Sequence, residues 1–251
     1  TSILERNYKL VLDEIEYLVK ELKLNHFTFI DDTLTLNKER TRKICEGIIE
    51  RKLEITWEGF TRANTITEDL LQIMKKAGLV RISFGIESGN PEILKIIKKG
   101  VKLEEIKNAY KIAKKVGLET RGSVIFGHPY ETKKTIWDTI KFILSLDGCD
   151  QVYINIATPY PGTELYRMAH KGEGGLRLLE KDYSKYRRYG KPVIEVNDVT
   201  QKDLMRLQKI AFLLFYLRPK QIFYNVFKRA GLKAGFINAL AFVKSMLSKN
   251  D

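Results

Sequence analysis

The sequence of 251 residues predicts an α/β protein built on a parallel sheet. Three observations carry this: short apolar runs alternate with stripes at helical spacing, glycines stand where stripes end, and polar residues gather after each run.

Over residues 8–22 the apolar positions are Tyr8, Val11, Leu12, Ile15, Leu18, Val19 and Leu22, the three-and-four spacing of one helix face. Phe27, Thr28, Phe29 and Ile30 then form a strand-like run ending in Asp31 and Asp32, and Thr41, Ile44, Cys45 and Ile48 return to helical spacing. The alternation continues with a strand over 53–57, a helix face at Leu70, Ile73, Met74 and Ala77, and a strand over 80–86. Next come a helix face at Ile106, Ala109, Ala113 and Val116, a strand over 120–126, a helix at Ile136, Ile140, Ile143 and Leu144, and a strand over 152–157. Gly78 and Gly117 each follow a helix as a C-terminal cap should. Consecutive βα units are therefore expected, behind an opening helix whose own strand is missing from the sequence. Right-handed crossovers leave two architectures open, a doubly wound sheet or a full or partial barrel, and in both the ligand meets the carboxyl ends of the strands.

After Pro161 a polar, basic, glycine-containing segment through Lys191 predicts a helix plus loop. Helical spacing resumes at Thr200, which forms a capping box with Asp203 ahead of Leu204, Leu207, Ala211 and Leu214. Pro219 ends that helix, and two more helical stretches follow.

The composition, 44% hydrophobic and 30% charged, is that of a globular chain that buries a core without staples. Cys45 and Cys149 lie far apart and outside any CxxC spacing, so neither a disulfide framework nor a zinc site is indicated. Both read as inert small hydrophobes in a reducing, cytoplasmic compartment. The 44 Lys and Arg against 31 Asp and Glu give a net charge of +13. These charges are spread along the chain, which favours solvated helix faces over a nucleic-acid surface. The first seven residues do not read as a signal peptide, and the apolar stretch 234–243 is interrupted by Asn238 and too short to span a bilayer.

The strand ends share a chemistry. They carry Asp31, Asp32 and Thr33; Glu58 with Thr61 and Arg62; Gly85 to Gly89 around Glu87 and Ser88; Gly127 to Thr132; and Pro159 to Thr163. Carboxylates there can meet an ammonium or ribose hydroxyls, an arginine can pair with a carboxylate, and glycines let backbone approach a flat base edge.

The strings FIDDTLT, WEGFTRAN, MKKAGLVRISFGIESGN, IIKKGV, GSVIFGHPYET and ATPYPGTEL, in that order, resemble the radical S-adenosylmethionine enzymes, particularly those that also use cobalamin. FYLRPK, at 215–220, resembles the tail of the cobalamin-dependent group. The resemblance implies a partial (β/α)6 TIM-like barrel, here without its first strand, over residues 1–165, a connecting segment over 166–199 and a C-terminal helical extension over 200–251. It also implies that a four-iron four-sulfur (4Fe-4S) cluster cleaves S-adenosylmethionine to a 5′-deoxyadenosyl radical for hydrogen abstraction or methyl transfer. An electron donor and a small-molecule or lipid-like substrate come with that chemistry. By the same resemblance Asp31 and Asp32 lie near the methionine amino group, Arg62 takes a carboxylate or substrate, Glu87 and Ser88 face the ribose, and Ile125, Gly127 and Pro129 back the adenine; Glu131 is expected to cap the following helix.

The sequence departs from the pattern in three places. The CxxxCxxC cluster motif and the upstream cobalamin domain are absent, so the cluster's ligands are expected outside this chain. Tyr130 stands where the family has glycine, which predicts a different loop, and His128 beside it reads as a hydrogen-bonded loop residue. Phe212, Phe215, Tyr216, Phe223, Tyr224, Phe227, Phe236 and Phe242, among Lys220, Lys228, Arg229, Lys233 and Lys244, predict a helical cap over the barrel; the alternative is peripheral contact with an anionic membrane.

Overall fold

The computed structural model describes residues 5–187 and 190–224. The opening helix α1 (Tyr8–Lys20) is capped by the Asn7 side chain and buries Leu12 and Ile15. Strand β1 (His26–Phe29) leads through the Asp31–Asp32 turn into α2 (Lys38–Glu50), whose buried Thr41, Ile44, Cys45 and Ile48 are the predicted face. Then follow β2 (Thr56–Thr61), α3 (Glu68–Lys76), β3 (Leu79–Glu87), α4 (Pro91–Ile96), α5 (Leu103–Val116), β4 (Glu119–Phe126), α6 (Lys133–Ser145) and β5 (Gln151–Ile156).

These five strands are all parallel and stand in the sheet in chain order, β1 to β5. Consecutive order with right-handed crossovers puts every crossover helix on the same face, so the sheet is singly wound, as in a barrel, and not doubly wound. The two faces differ as this requires. On the helix side Trp57, Ile82, Phe84, Ile86, Val124, Phe126 and Val152 are buried, and the Trp57 indole donates to the Ala77 backbone oxygen at 2.8 Å. Burying each such large side chain stabilises the fold by roughly 1.5–3 kcal/mol. On the other face the paired positions run Glu58, Arg81 and Glu119, then Phe60, Ser83, Arg121 and Gln151, then Gly85, Ser123 and Tyr153, with Ile125 beside Asn155. Arg81 bridges Glu58 at 2.8 Å and Glu119 at 2.7 Å across the amino ends of that face.

Three boundaries correct the sequence expectation. The second strand begins at Thr56 and reaches Thr61, because Lys52 takes φ +52° and the Leu53 amide turns back to Ile48, keeping residues 53–55 out of the sheet. The helix α4 was not expected; Asn90 caps it and Pro91 opens it. The segment after Pro161 holds α7 (Glu164–Lys171) and also a two-stranded antiparallel ribbon, β6 (Leu176–Leu178) with β7 (Ile194–Val196), too short to show a period-two pattern.

Helix α8 (Gln201–Tyr216) has the predicted Thr200–Asp203 capping box, and α9 (Pro219–Phe223) begins at the proline that ends it. α8 covers the free edge of β5: Gln208 donates to the Ile154 oxygen at 2.7 Å, and the Tyr216 hydroxyl meets the Val152 nitrogen and oxygen at 3.0 and 3.1 Å. The rest of the expected aromatic cap, from Phe227 onward, lies outside the described residues. No described helix is long and apolar enough to cross a membrane.

Candidate functional site

All five strands end on one edge, and the residues there form a connected chain from β2 to β4. Arg62, just past β2, donates through Nη2 to the Lys99 backbone oxygen. Lys99 is placed by the end of α4, where Lys98 takes φ +53° and the Lys99 amide returns to Leu94 at 2.9 Å. Its ammonium meets Glu87 Oε1 at 2.8 Å, with both side chains mostly buried.

Glu87 is held in an unusual way. At the end of β3 the pairing with β4 jumps from Gly85 opposite Ser123 to Glu87 opposite Val124, a bulge, and Glu87 takes φ +63°. Its carboxylate then folds back over Gly85, where a β-carbon would stand 2.5 Å from Glu87 Oε1 and 2.7 Å from Lys99 Nζ. A side chain at 85 would displace that carboxylate and ammonium from where they meet, and the carboxylate faces the open, polar side of the sheet. Ser88 turns the other way. It is fully buried, with its hydroxyl 3.1 Å from that of Thr139 on α6, so it shapes the turn and does not open on the rim.

The turn after β4 closes on itself. Gly127 takes φ +93°, and Glu131 Oε2 accepts from the Gly127 and His128 amides at 2.6 and 3.2 Å. Helix α6 is instead capped by Thr132, whose hydroxyl accepts from Thr135, so the expectation of Glu131 as that cap is corrected. Burial pushes the Glu131 carboxyl up to about 7 against the pull of those two amides, and its Oε1 has no partner among the described residues. The His128 ring is buried; burial holds its pKa below the usual histidine value, with Glu87 pulling upward and Lys99 adding to the depression. Thus His128, expected to be a hydrogen-bonded loop residue, is bonded through its backbone, the amide to Glu131 Oε2 and the oxygen to the Glu131 amide at 3.1 Å.

Tyr130, where the family has glycine, itself adopts φ +63°, the left-handed region, and its amide donates to the Gly174 oxygen at 2.6 Å. A tyrosine in this region costs about 1–2 kcal/mol, and the side chain is 55% exposed, so little packing offsets it. Tyr130→Gly is therefore expected to raise stability by about 0.5–1 kcal/mol, after glycine's extra chain entropy, read as a higher denaturant midpoint at unchanged slope.

The rim thus brings Arg62, Glu87, Gly127 and Pro129 into one continuous arrangement, with half-buried Ile125 on the open face beside Asn155. Asp31 and Asp32 stand apart on an exposed turn, and no described hydrogen bond or ion pair reaches them. Lys99 and the polar row Ser83, Ser123 and Asn155 were missed. Strict alternation in Arg81, Ser83, Gly85 and Glu87 was the signal that one face of β3 is polar.

A singly wound parallel sheet of five strands in chain order defines an α/β protein of the barrel type, with an acidic and glycine-rich rim. The Radical SAM superfamily model matches residues 2–143, and the chain belongs to that family. It is 38% identical over 221 residues to the uncharacterized methyltransferase PH0819 of Pyrococcus horikoshii, covering 88% of this chain and 47% of that protein. It is 28% identical over 243 residues to the anaerobic magnesium-protoporphyrin IX monomethyl ester cyclase of Rubrivivax gelatinosus, covering 96% and 42%. The chain therefore spans somewhat under half the length of these relatives. The fold is shared with the radical S-adenosylmethionine methyltransferase TsrM of Kitasatospora setae, at TM-score 0.60 and 20% identity over 71% of this chain and 37% of that one. It is shared also with the cobalamin-dependent S-adenosylmethionine radical enzyme OxsB, at TM-score 0.62 and 16% identity over 95% and 45%.

The family's iron-sulfur cluster does not fit the residues present. Cys45 on α2 and Cys149 ahead of β5 are separately buried, each thiol pushed up to about 12 by burial, and no group of three metal-ligating residues exists among the described residues.

Proposed function

We propose that this chain is the S-adenosylmethionine-binding part of a radical methyltransferase-type enzyme, with the cluster's thiolates and any cobalamin domain supplied by polypeptide outside these residues. The Glu87 geometry carries this reading. Its carboxylate is laid over Gly85 on the open face, and no described bond uses Oε2, which is left to accept ribose hydroxyls. The Gly127–Pro129 turn stands next to it for the adenine, and Arg62 beside Lys99 for the methionine carboxylate or the substrate. Asp31 and Asp32, unengaged within the described residues, are assigned to the amino group.

The two sheet edges support strands two to six of a six-stranded barrel. The β5 edge is covered by α8, whereas β1 has no partner on its outer side among the described residues, and Leu22, Leu24 and Ile30 are exposed near it. A first strand would pair there. Residues 1–165 are then the barrel, 166–199 the connection and 200–251 the cap, acting on a small-molecule or lipid-like substrate with an external electron donor.

The test is to express the complete reading frame and measure equilibrium binding of S-adenosylmethionine. Glu87→Gln is expected to weaken it on the order of tenfold to a hundredfold, the loss of charged hydrogen bonds. Unchanged affinity on titration calorimetry removes Glu87 from the site. A reading frame without a CxxxCxxC motif would instead make the chain a binding module that has lost its cluster.

A further inference from the structure

Three threonine hydroxyls meet where the turn after β1 passes the turn after β2. Thr35 is fully buried and Thr61 nearly so, while Thr65 closes the 3₁₀ turn Ala63–Thr65. Thr35 Oγ1 meets Thr61 Oγ1 and, at 2.6 Å, Thr65 Oγ1; Thr65 Oγ1 also lies 2.9 Å from the Arg62 oxygen. The direction of these bonds is fixed, because a carbonyl only accepts and each hydroxyl has a single proton to give. Thr65 donates to the Arg62 oxygen, Thr35 therefore donates to Thr65, and Thr61 donates to Thr35.

This chain of hydroxyls joins two parts of the candidate site. The turn that begins at Asp31 and Asp32 is tied to the sheet by the Leu34 amide, which donates to the Phe60 oxygen at 3.0 Å. It is tied to α2 by Thr41 Oγ1, which donates to the Leu34 oxygen at 2.8 Å. Neither bond reaches the turn that carries Arg62. Among the described residues only Thr35 bonds across to that turn, through Thr65. Arg62 is thereby held at both ends: its oxygen accepts from Thr65, and its Nη2 donates to the Lys99 oxygen.

We propose that Thr35 is a positioning residue for the amino-acid end of the ligand: its hydroxyl locks the Asp31–Asp32 turn to the Arg62 turn, so that the aspartates and the guanidinium are presented at a fixed separation. The role rests on the reading that this rim binds S-adenosylmethionine, with Asp31 and Asp32 at its ammonium and Arg62 at its carboxylate. An α-amino acid carries both charges on the same carbon, so both partners must be in place together. Without the link the turn has other arrangements open to it, and affinity falls with the fraction of molecules that stay competent. A hydroxyl cluster serving only the core would act on stability and leave the two ends of the ligand alike.

The experiment uses the complete reading frame and titration calorimetry with S-adenosylmethionine and with 5′-methylthioadenosine, which keeps the adenosine and the sulfur but lacks the amino-acid chain. Thermal melting monitors the fold. Thr35→Ala and Thr35→Ser both lose the methyl group and differ only in the hydroxyl. In the alanine variant Thr61 still has Thr65 Oγ1 at 3.1 Å, so its buried hydroxyl keeps a partner. Thr35→Ala is expected to bind S-adenosylmethionine about tenfold more weakly, as for a competent fraction of about a tenth, and 5′-methylthioadenosine within about threefold of the parent. Thr35→Ser is expected to stay within about threefold of the parent for both ligands. Thr65→Ala breaks the chain at its next link and should give the same pattern, with Thr35→Ala adding no further loss in that background. Equal losses for the two ligands, no loss for either, or no difference between the serine and alanine variants overturns the positioning role. Failure of the unsubstituted protein to bind either ligand, or of Arg62→Ala to weaken S-adenosylmethionine binding, overturns the site reading and this inference with it.

Discussion

Gly89→Ala is expected to destabilise the protein by about 3 kcal/mol, at the upper end of the overpacking range. A β-carbon at 89 would stand 2.4 Å from Phe142 Cβ, 2.7 Å from Thr139 Cα and 3.0 Å from the Asp138 oxygen. These atoms belong to the body of α6, so no rotamer change relieves the clash and the helix must move away from the β3 turn. Two hydrogen bonds move with it, Gly89 N to Thr139 Oγ1 at 2.9 Å and Ser88 Oγ to the same hydroxyl at 3.1 Å. Gly47 provides the control. Its β-carbon would come within 2.3 Å of Leu12 Cδ1, a shorter distance, but Leu12 meets it with the end of a flexible side chain. Gly47 also lies inside α2, where alanine gains about 1 kcal/mol of helix propensity, so Gly47→Ala is expected to be near neutral. Thermal melting separates the two: a drop of roughly 6–12 °C for Gly89→Ala and little change for Gly47→Ala. A melting point for Gly89→Ala within a degree or two of the parent would show that α6 yields to the turn.

Much of this architecture could be read from the sequence, because the crossover helices are amphipathic and their apolar faces are core. Ile106, Ala109 and Ala113, or Ile136, Ile140 and Ile143, were found by spacing alone and are buried. Strand order was not legible, since period and spacing are the same for a doubly wound sheet. The polar side of β3 and β4 decides it: a sheet covered on both faces would not carry Arg81, Ser83 and Arg121 opposite Ile82, Phe84 and Val124. At the site, sequence reasoning brought the strand ends to one rim but did not foresee which side chains open on it. Ser88 and Glu87 are neighbours, and strand alternation carried to the end of β3 leaves Glu87 on the polar face and buries Ser88 against α6. Lys99 stayed hidden because its position depends on α4, a helix too short to show a period.

Glu131 predicts a pH dependence that runs against the common acid-denaturation pattern. Its carboxyl is fully buried and raised from 4.5 to about 7 in the folded chain, burial being the main cause. A raised carboxyl means that the folded state binds the proton more tightly than the unfolded state. The stability from this group is therefore complete below pH 4.5 and is lost as pH rises through 7, an amount on the order of 3 kcal/mol for a shift of this size. Above that range a buried carboxylate remains, with Oε2 satisfied by the Gly127 and His128 amides and Oε1 without a partner among the described residues. Glu131→Gln keeps an acceptor for the two amides and cannot ionise. It is expected to match the parent near pH 4.5 and to exceed it by about 2–3 kcal/mol at pH 8, read as denaturant midpoints across that range. Parallel profiles for the two proteins would mean that the carboxyl titrates alike in both states, and that water or the two amides compensate its burial. Since Glu131 fixes both backbone groups of His128, the same substitution also asks whether the turn needs a charge. The turn uses the Glu131 side chain only as an acceptor for the Gly127 and His128 amides, so glutamine should keep the turn while the pH profile flattens.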